Sequence, residues 1–210
     1  MEKKGYFITF EGIDGCGKTT QLDAVYDFLT GLGFECIKTR EPGAMELGKK
    51  IREILLHHKG IVSDKCEMFM FLADRAQHMD TLIRPTVESG KIVLCDRHTD
   101  STIAYQGYGR GQDTEKLTKL NEIATGGMSP DLTLIFDVST KTGAKRAGNN
   151  PDRMEAAGRE FYESVRQGYI ELSKKYPERI RLINGENSKE FVYNEVKSNI
   201  MDLMGLKKGI

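Results

Sequence analysis

The chain has 210 residues, 31 basic and 31 acidic side chains, and a formal net charge of zero. That length suits one domain able to bury a full core without staples, and the balanced charge argues against a protein built to coat nucleic acid or an anionic membrane. No apolar run approaches membrane-spanning length, no signal peptide is expected, and Cys16, Cys36, Cys66 and Cys95 show neither CxxC pairing nor metal-ligand spacing, so free thiols in a reducing cytoplasm are expected.

Residues 6–10 are apolar and β-branched and read as a strand. Gly12-Ile13-Asp14-Gly15-Cys16-Gly17-Lys18-Thr19 follows and matches the phosphate-binding P-loop. The glycines let the backbone turn tightly, so that successive N–H groups point into one concavity with a helix N-terminus behind them. Lys18 adds a mobile cation for the outer phosphates, and Thr19 offers a hydroxyl to Mg²⁺. A helix over 18–32 is expected next, from apolar residues at helical spacing. Cys16, at that helix's N-terminus beside cations, reads either as a residue simply small enough to fit the loop or as a thiol of lowered pKa whose oxidation or alkylation would block nucleotide binding.

A second strand, 35–39, ends at Thr39-Arg40-Glu41-Pro42-Gly43, where Pro-Gly marks a turn and Arg40 sits just beyond the strand. Helices over 46–58 and 65–88 are expected. In the latter, Phe71 and Arg75 lie four apart and share a face. Locally this reads as a core Phe with a solvated Arg; the same pair also suits stacking and hydrogen bonding to a base. The strand 92–95 ends in Asp96, the pattern of a carboxylate that holds Mg²⁺ directly or through water, with Arg97 placed to reach a phosphate. Thr102, Tyr105 and Gln106 then gather polar groups in one short stretch, which reads either as a nucleoside contact or as a helix end stopped by Gly107.

Beyond a helix over 114–125 come a strand at 132–137 and a short helix at 140–147. Residues 141–159 are polar, basic and glycine-rich, with Lys145, Arg146, Arg153 and Arg159, and suit a mobile cationic flap. A helix at 159–176, a strand at 179–183 and a helix at 190–204 complete the chain. Strands alternating with helices predict an α/β fold: a mostly parallel five-stranded sheet with helices on both faces, with ligands at the carboxyl ends of the strands.

Taken together, Phe-Glu-Gly-Ile-Asp-Gly-Cys-Gly-Lys-Thr-Thr (10–20), Thr-Arg-Glu-Pro-Gly (39–43), Asp-Arg-His (96–98), Ser-Thr-Ile-Ala-Tyr-Gln-Gly (101–107), Pro-Asp-Leu-Thr (130–133) and Asp-Arg-Met-Glu (152–155) strongly resemble the bacterial thymidylate kinase family, in order and over almost the whole chain. The resemblance implies a three-layer P-loop NTPase-type fold forming one domain over 1–210, with a lid at about 141–158. It implies transfer of the γ-phosphoryl group of ATP to dTMP, with Mg²⁺, in a cytoplasmic homodimer that binds neither nucleic acid nor membrane. By position it assigns Gly12, Ile13, Asp14, Gly15, Cys16, Gly17, Lys18, Thr19 and Thr20 to the ATP phosphates, and Thr19 and Asp96 to the metal. Asp14 would meet the 3′-hydroxyl of dTMP or a metal near it. Arg40 and Arg97 would hold the dTMP phosphate, with Arg52 nearby. Phe71, Arg75, Thr102 and Gln106 would read thymine, and Tyr105 would crowd the sugar 2′ position. With Gly15 and Cys16 where some members carry a P-loop arginine, the catalytic arginine falls to the lid, to Arg153 first and Arg146 second, the latter with a possible adenine contact. The alternatives are another nucleoside monophosphate or deoxynucleoside kinase and, much more remotely, a P-loop switch, which lacks its guanine-reading Asn-Lys-x-Asp here.

Overall fold

The computed structural model describes residues 5–147 and 158–206. Five strands, β1 (Tyr6–Glu11), β2 (Cys36–Arg40), β3 (Ile92–Asp96), β4 (Leu132–Asp137) and β5 (Ile180–Asn184), form one sheet in the order β2-β3-β1-β4-β5, with every neighbouring pair parallel. A parallel sheet must be covered on both faces, and the strand residues divide accordingly. Ile8, Phe10, Ile92 and Leu94 join the large core cluster, while the alternate residues Phe7, Val93 and Cys95 pack with Met79 and Ile83 in a smaller one. Each fully buried side chain of this kind contributes about 1.5–3 kcal/mol.

The helices are α1 (Lys18–Gly31), α2 (Glu46–His57), α3 (Asp64–His78), α4 (Arg84–Glu88), α5 (Thr99–Thr102), α6 (Thr114–Thr125), α7 (Thr140–Ala147), α8 (Arg159–Lys175) and α9 (Lys189–Met204). Because all the strands run the same way, their carboxyl ends share one rim. That rim carries the P-loop after β1, Glu41 after β2, Arg97 after β3, Val138 after β4 and Gly185 after β5.

Two stretches depart from the sequence expectation. The helix expected over 65–88 is broken: α3 gives way to a π turn at Met79–Ile83 before α4. Pro85 lacks an N–H and its ring crowds the preceding turn, and a widened turn accommodates both. Residues 101–107, for which the sequence predicts no helix of their own, run from the end of α5 into a second π turn at Ile103–Gly109. Gly107 lies inside that turn and stops nothing. A Cβ at Gly107 would meet the Thr114 methyl at 2.9 Å, and one at Gly109 would meet the Phe161 ring at 2.5 Å. These glycines permit close packing against α6 and α8.

Candidate active site

The P-loop takes its shape from positive φ angles at Gly12 (136°), Gly15 (74°) and Gly17 (96°), conformations that L side chains rarely adopt. Gly17 caps α1, so the first amides of that helix have no intrahelical partner and face a cavity of about 500 Å³. The cavity is lined by residues 15–21 and, opposite, by Arg146, Gly185, Asn187 and Lys189. Lys18 is buried, with Nζ 3.5 Å from the Ile13 carbonyl and 3.9 Å from Asp14. The loop is braced from above by α7. A Cβ at Gly15 would fall 2.2 Å from the Gly143 carbonyl, and one at Gly143 would fall 2.9 Å from the Ile13 side chain. Arg146, one helical turn further, donates to the Gly185 carbonyl at 3.1 Å and so lies in the wall of the same cavity.

Beside the loop, the Thr19 hydroxyl donates to Asp96 Oδ2 at 2.9 Å, while Asp96 Oδ1 is buried without a partner. A carboxylate oxygen left without a donor, next to a hydroxyl and a phosphate cradle, fits a hard divalent cation.

On the far side of Asp14 lies a crevice of about 90 Å³ whose lining includes Arg52, Phe71, Arg75, Arg97, Tyr105 and Gln106. Arg97 is the one non-glycine residue among those described with positive φ (69°). Its guanidinium lies over the Tyr105 ring at 4.9 Å, donates to the Gly12 carbonyl at 3.0 Å and pairs with Asp14 at 2.7 Å. Tyr105 and Tyr162 add hydroxyls to the other Asp14 oxygen at 3.3 and 3.1 Å. Burial alone would raise the Asp14 pKa, but the Arg97 and Lys18 cations and these hydrogen bonds hold it well below the usual carboxylate range.

Arg75 is 2% exposed and nearly saturated. It donates from Nε to Glu41 at 2.8 Å, from Nη1 to Thr102 at 2.7 Å and to Asn121 at 2.6 Å, and from Nη2 to the His98 carbonyl at 2.9 Å. A guanidinium has five N–H donors, so one on Nη2 remains. Glu41 also takes Nδ1 of His78 and of His98, each at 3.0 Å. Burial opposes its ionisation, but His98 and Arg75 hold its carboxyl well below the ordinary value, whereas burial lowers the pKa of His98. Gln106 is anchored through Nε2 to the buried Glu67 at 3.0 Å.

The structure thus brings Asp14, Arg52, Phe71, Arg75, Arg97, Thr102, Tyr105 and Gln106 to one crevice, and Gly15 to Thr20 with Arg146 to another. Arg40 joins neither set of lining residues; it is exposed at the end of β2. Arg153 lies outside the described residues, as does most of the lid region. The reading of Cys16 as an acidic thiol is corrected: the residue is 3% exposed, and burial pushes its pKa up despite Lys18. The helix-terminal field loses because the sulfur is packed against the loop, with Sγ 2.8 Å from where a Cβ on Gly12 would sit. Sequence reasoning gave no role to Glu11, Glu41, Ser101, Tyr162 or Tyr169. Glu11 and Glu41 stood inside quoted motifs, but a carboxylate's burial is invisible in sequence. Tyr162 and Tyr169 lie seven apart on α8, a spacing that places both on one face.

The family model described as thymidylate kinase matches residues 10–196. A thymidylate kinase of Desulfovibrio desulfuricans is 46% identical over 204 residues, covering 92% of this chain and 94% of that protein. One from Trichodesmium erythraeum is 45% identical, covering 94% of this chain and 95% of that protein. The crystal structure of thymidylate kinase from Ehrlichia chaffeensis superposes with a TM-score of 0.78 at 36% identity, covering 94% of this chain and 99% of that one.

Proposed function

Because this chain belongs to the thymidylate kinase family and so catalyses ATP-dependent phosphorylation of dTMP to dTDP, we propose a division of labour between its two crevices. The observation that carries it is that neighbouring P-loop residues face different cavities. Gly15 and its successors line the one rich in free amides, and Asp14 lines the one rich in arginine and aromatic groups. ATP occupies the first, its phosphates on the amides and Lys18, its base toward Arg146 and Gly185. dTMP occupies the second, its base against Phe71 with the remaining Arg75 N–H, Thr102 and Gln106 at the polar edge, and Tyr105 against the sugar.

The acceptor crevice, at about 90 Å³, is smaller than the roughly 300 Å³ of typical ligand pockets. Binding therefore parts side chains, and the Arg97–Asp14 pair is the natural gate. An incoming phosphate takes over the Arg97 donors, and Asp14 turns to the sugar hydroxyl. Arg52 reaches the phosphate from α2, and Arg40 turns inward from the rim. Thr19 and Asp96 hold Mg²⁺, which would screen the charge of the transferring phosphoryl group. The acceptor is already an anionic phosphate, so in-line placement and charge neutralisation suffice. Arg153, with Arg146 as the alternative, completes that neutralisation from the lid.

We further read the chain as one domain and as a cytoplasmic homodimer. All four cysteines are free, and among the described residues no helix is long and apolar enough to cross a membrane. Leu47 and Ile54 on α2, Phe69 on α3 and Ile123 on α6 are exposed apolar side chains on helices that pack side by side, a surface suited to a second copy. An ADP-release assay across nucleoside monophosphates and nucleosides tests the substrate assignment. ATP turnover stimulated foremost by dTMP is expected; equal stimulation by several monophosphates would overturn the thymine-reading roles.

A further inference from the structure

We propose that Glu11 is a positioning residue for phosphoryl transfer: its carboxylate fixes both the backbone turn that carries Arg97 and the two hydroxyls that flank the Arg97 guanidinium. The proposal rests on reading Arg97 as the ligand of the dTMP phosphate.

Glu11 ends β1, is wholly buried, and directly precedes the P-loop. Its Oε1 accepts the His98 backbone N–H at 2.7 Å. Together with the Arg97 N–H donated to the Phe10 carbonyl at 3.0 Å, this bond holds the left-handed turn in which Arg97 sits at φ 69°. Glu11 Oε2 accepts from the Ser101 hydroxyl at 2.5 Å and the Tyr169 hydroxyl at 3.1 Å. Arg97 Nη1 lies 3.4 Å from each of those hydroxyl oxygens. The two hydroxyls are 2.8 Å apart, and however that contact is used, the chain of hydrogens ends on Glu11. Their lone pairs are thereby left facing the cation. Three donors converge on one carboxyl group, an arrangement only its ionised form satisfies fully. A protonated Glu11 brings a fourth hydrogen and must turn one hydroxyl around, presenting a donor to Arg97.

The charged and titratable groups around Glu11 are Cys95 on β3, Arg97, His98 and Asp100 after it, Tyr169 on α8, and Arg179, which is held by Asp100. Burial first, then Asp100, pushes the Glu11 pKa up to about 7, against the hydrogen bond from Ser101 and the charge of Arg97. The carboxylate is thus about half-ionised at neutrality and ionises fully only above it.

Steady-state kinetics of Glu11→Gln, Ser101→Ala and Arg97→Ala from about pH 6 to about pH 9, with kcat and KM for each substrate, test this. Glu11→Gln should lower kcat/KM for dTMP about tenfold, the size of one lost charge-assisted hydrogen bond. It should leave KM for ATP within about twofold and abolish an acid limb near pH 7 that the wild-type protein shows. Ser101→Ala removes a bond that favours the ionised form, so it should move that limb to higher pH. The proposal is overturned if Glu11→Gln keeps the wild-type KM for dTMP and acid limb, or loses equally toward both substrates with the limb intact. Should Glu11→Gln fail to fold, an unmoved limb in Ser101→Ala overturns it instead. Arg97→Ala separates the two readings: an unchanged KM for dTMP there removes Arg97 from the site, whereas a damaged Arg97→Ala beside a normal Glu11→Gln rejects Glu11 alone.

Discussion

The two crevices meet at the P-loop but are built from different materials. The donor side is backbone: amides at a helix N-terminus, glycines at positive φ, and a single buried lysine whose contacts are long, at 3.5 and 3.9 Å. The acceptor side is side chains: Arg75 meets Glu41 at 2.8 Å in the interior, and Arg97 meets Asp14 at 2.7 Å where both are half-buried. A backbone cradle is loosely filled until its ligand arrives, and it tolerates change in any residue that keeps the turn. These ion pairs are already made before the ligand arrives, so a buried member is costly to remove and the carboxylates respond to pH.

The largest expected effect tests the donor side at its buried lysine. Lys18→Ala should lower kcat by at least about 10²-fold, the cost of one preorganised charge stabiliser. It should keep the wild-type melting temperature, because no short contact is lost. Calorimetry showing marked destabilisation would mean that Lys18 belongs to the ion pairs rather than to the ligand.

Arg75→Ala should behave in the opposite way. It leaves Glu41 buried with only the two histidines, so it should cost about 3–5 kcal/mol of stability in denaturant titration. Among kinetic constants it should chiefly damage discrimination between bases. A proportional loss with every monophosphate would argue against base reading.

Stability against pH sharpens the contrast. Asp14 and Glu41 have depressed folded pKa values, so their contribution is present above the ordinary carboxylate range and is lost as pH falls through their folded values. Glu11 and Asp74 are raised, to about 7 and about 6, so their contribution is present below their ordinary values and is lost as pH rises through the folded ones. Relative to the wild-type protein, Glu11→Gln should therefore gain melting temperature as pH rises through about 7, although it loses activity. A parallel pair of melting curves would show that Glu11 does not titrate there.

The smallest effect is expected at Cys16. Its thiol is buried and its pKa raised, so a thiol reagent should label the exposed Cys66 first. Cys16→Ala should keep activity within about threefold. Early labelling of Cys16 in mass spectra would restore the reactive-thiol reading.

Legibility followed the same division. The P-loop was readable because strand, glycines and helix are contiguous and each carries a local physical signature. The strands were placed to within a residue or so at their ends because parallel buried strands are short, apolar and β-branched. The π turns were not, since a widened helical turn answers to what packs against it: Pro85 in one case, Phe161 and Thr114 in the other. Arg75 was read as a base contact, yet most of its donors serve Glu41, Thr102, Asn121 and His98, from four separate parts of the chain.

By itself, then, the order of residues settled the alternation of elements, the phosphate cradle and the family, because each is written in neighbouring positions and their spacing. Tertiary structure alone decided which carboxylates are buried, which arginines are already committed, and that the Cys16 thiol is raised rather than acidic. Those outcomes depend on dielectric and on partners brought from distant segments, and no local window of the chain contains either.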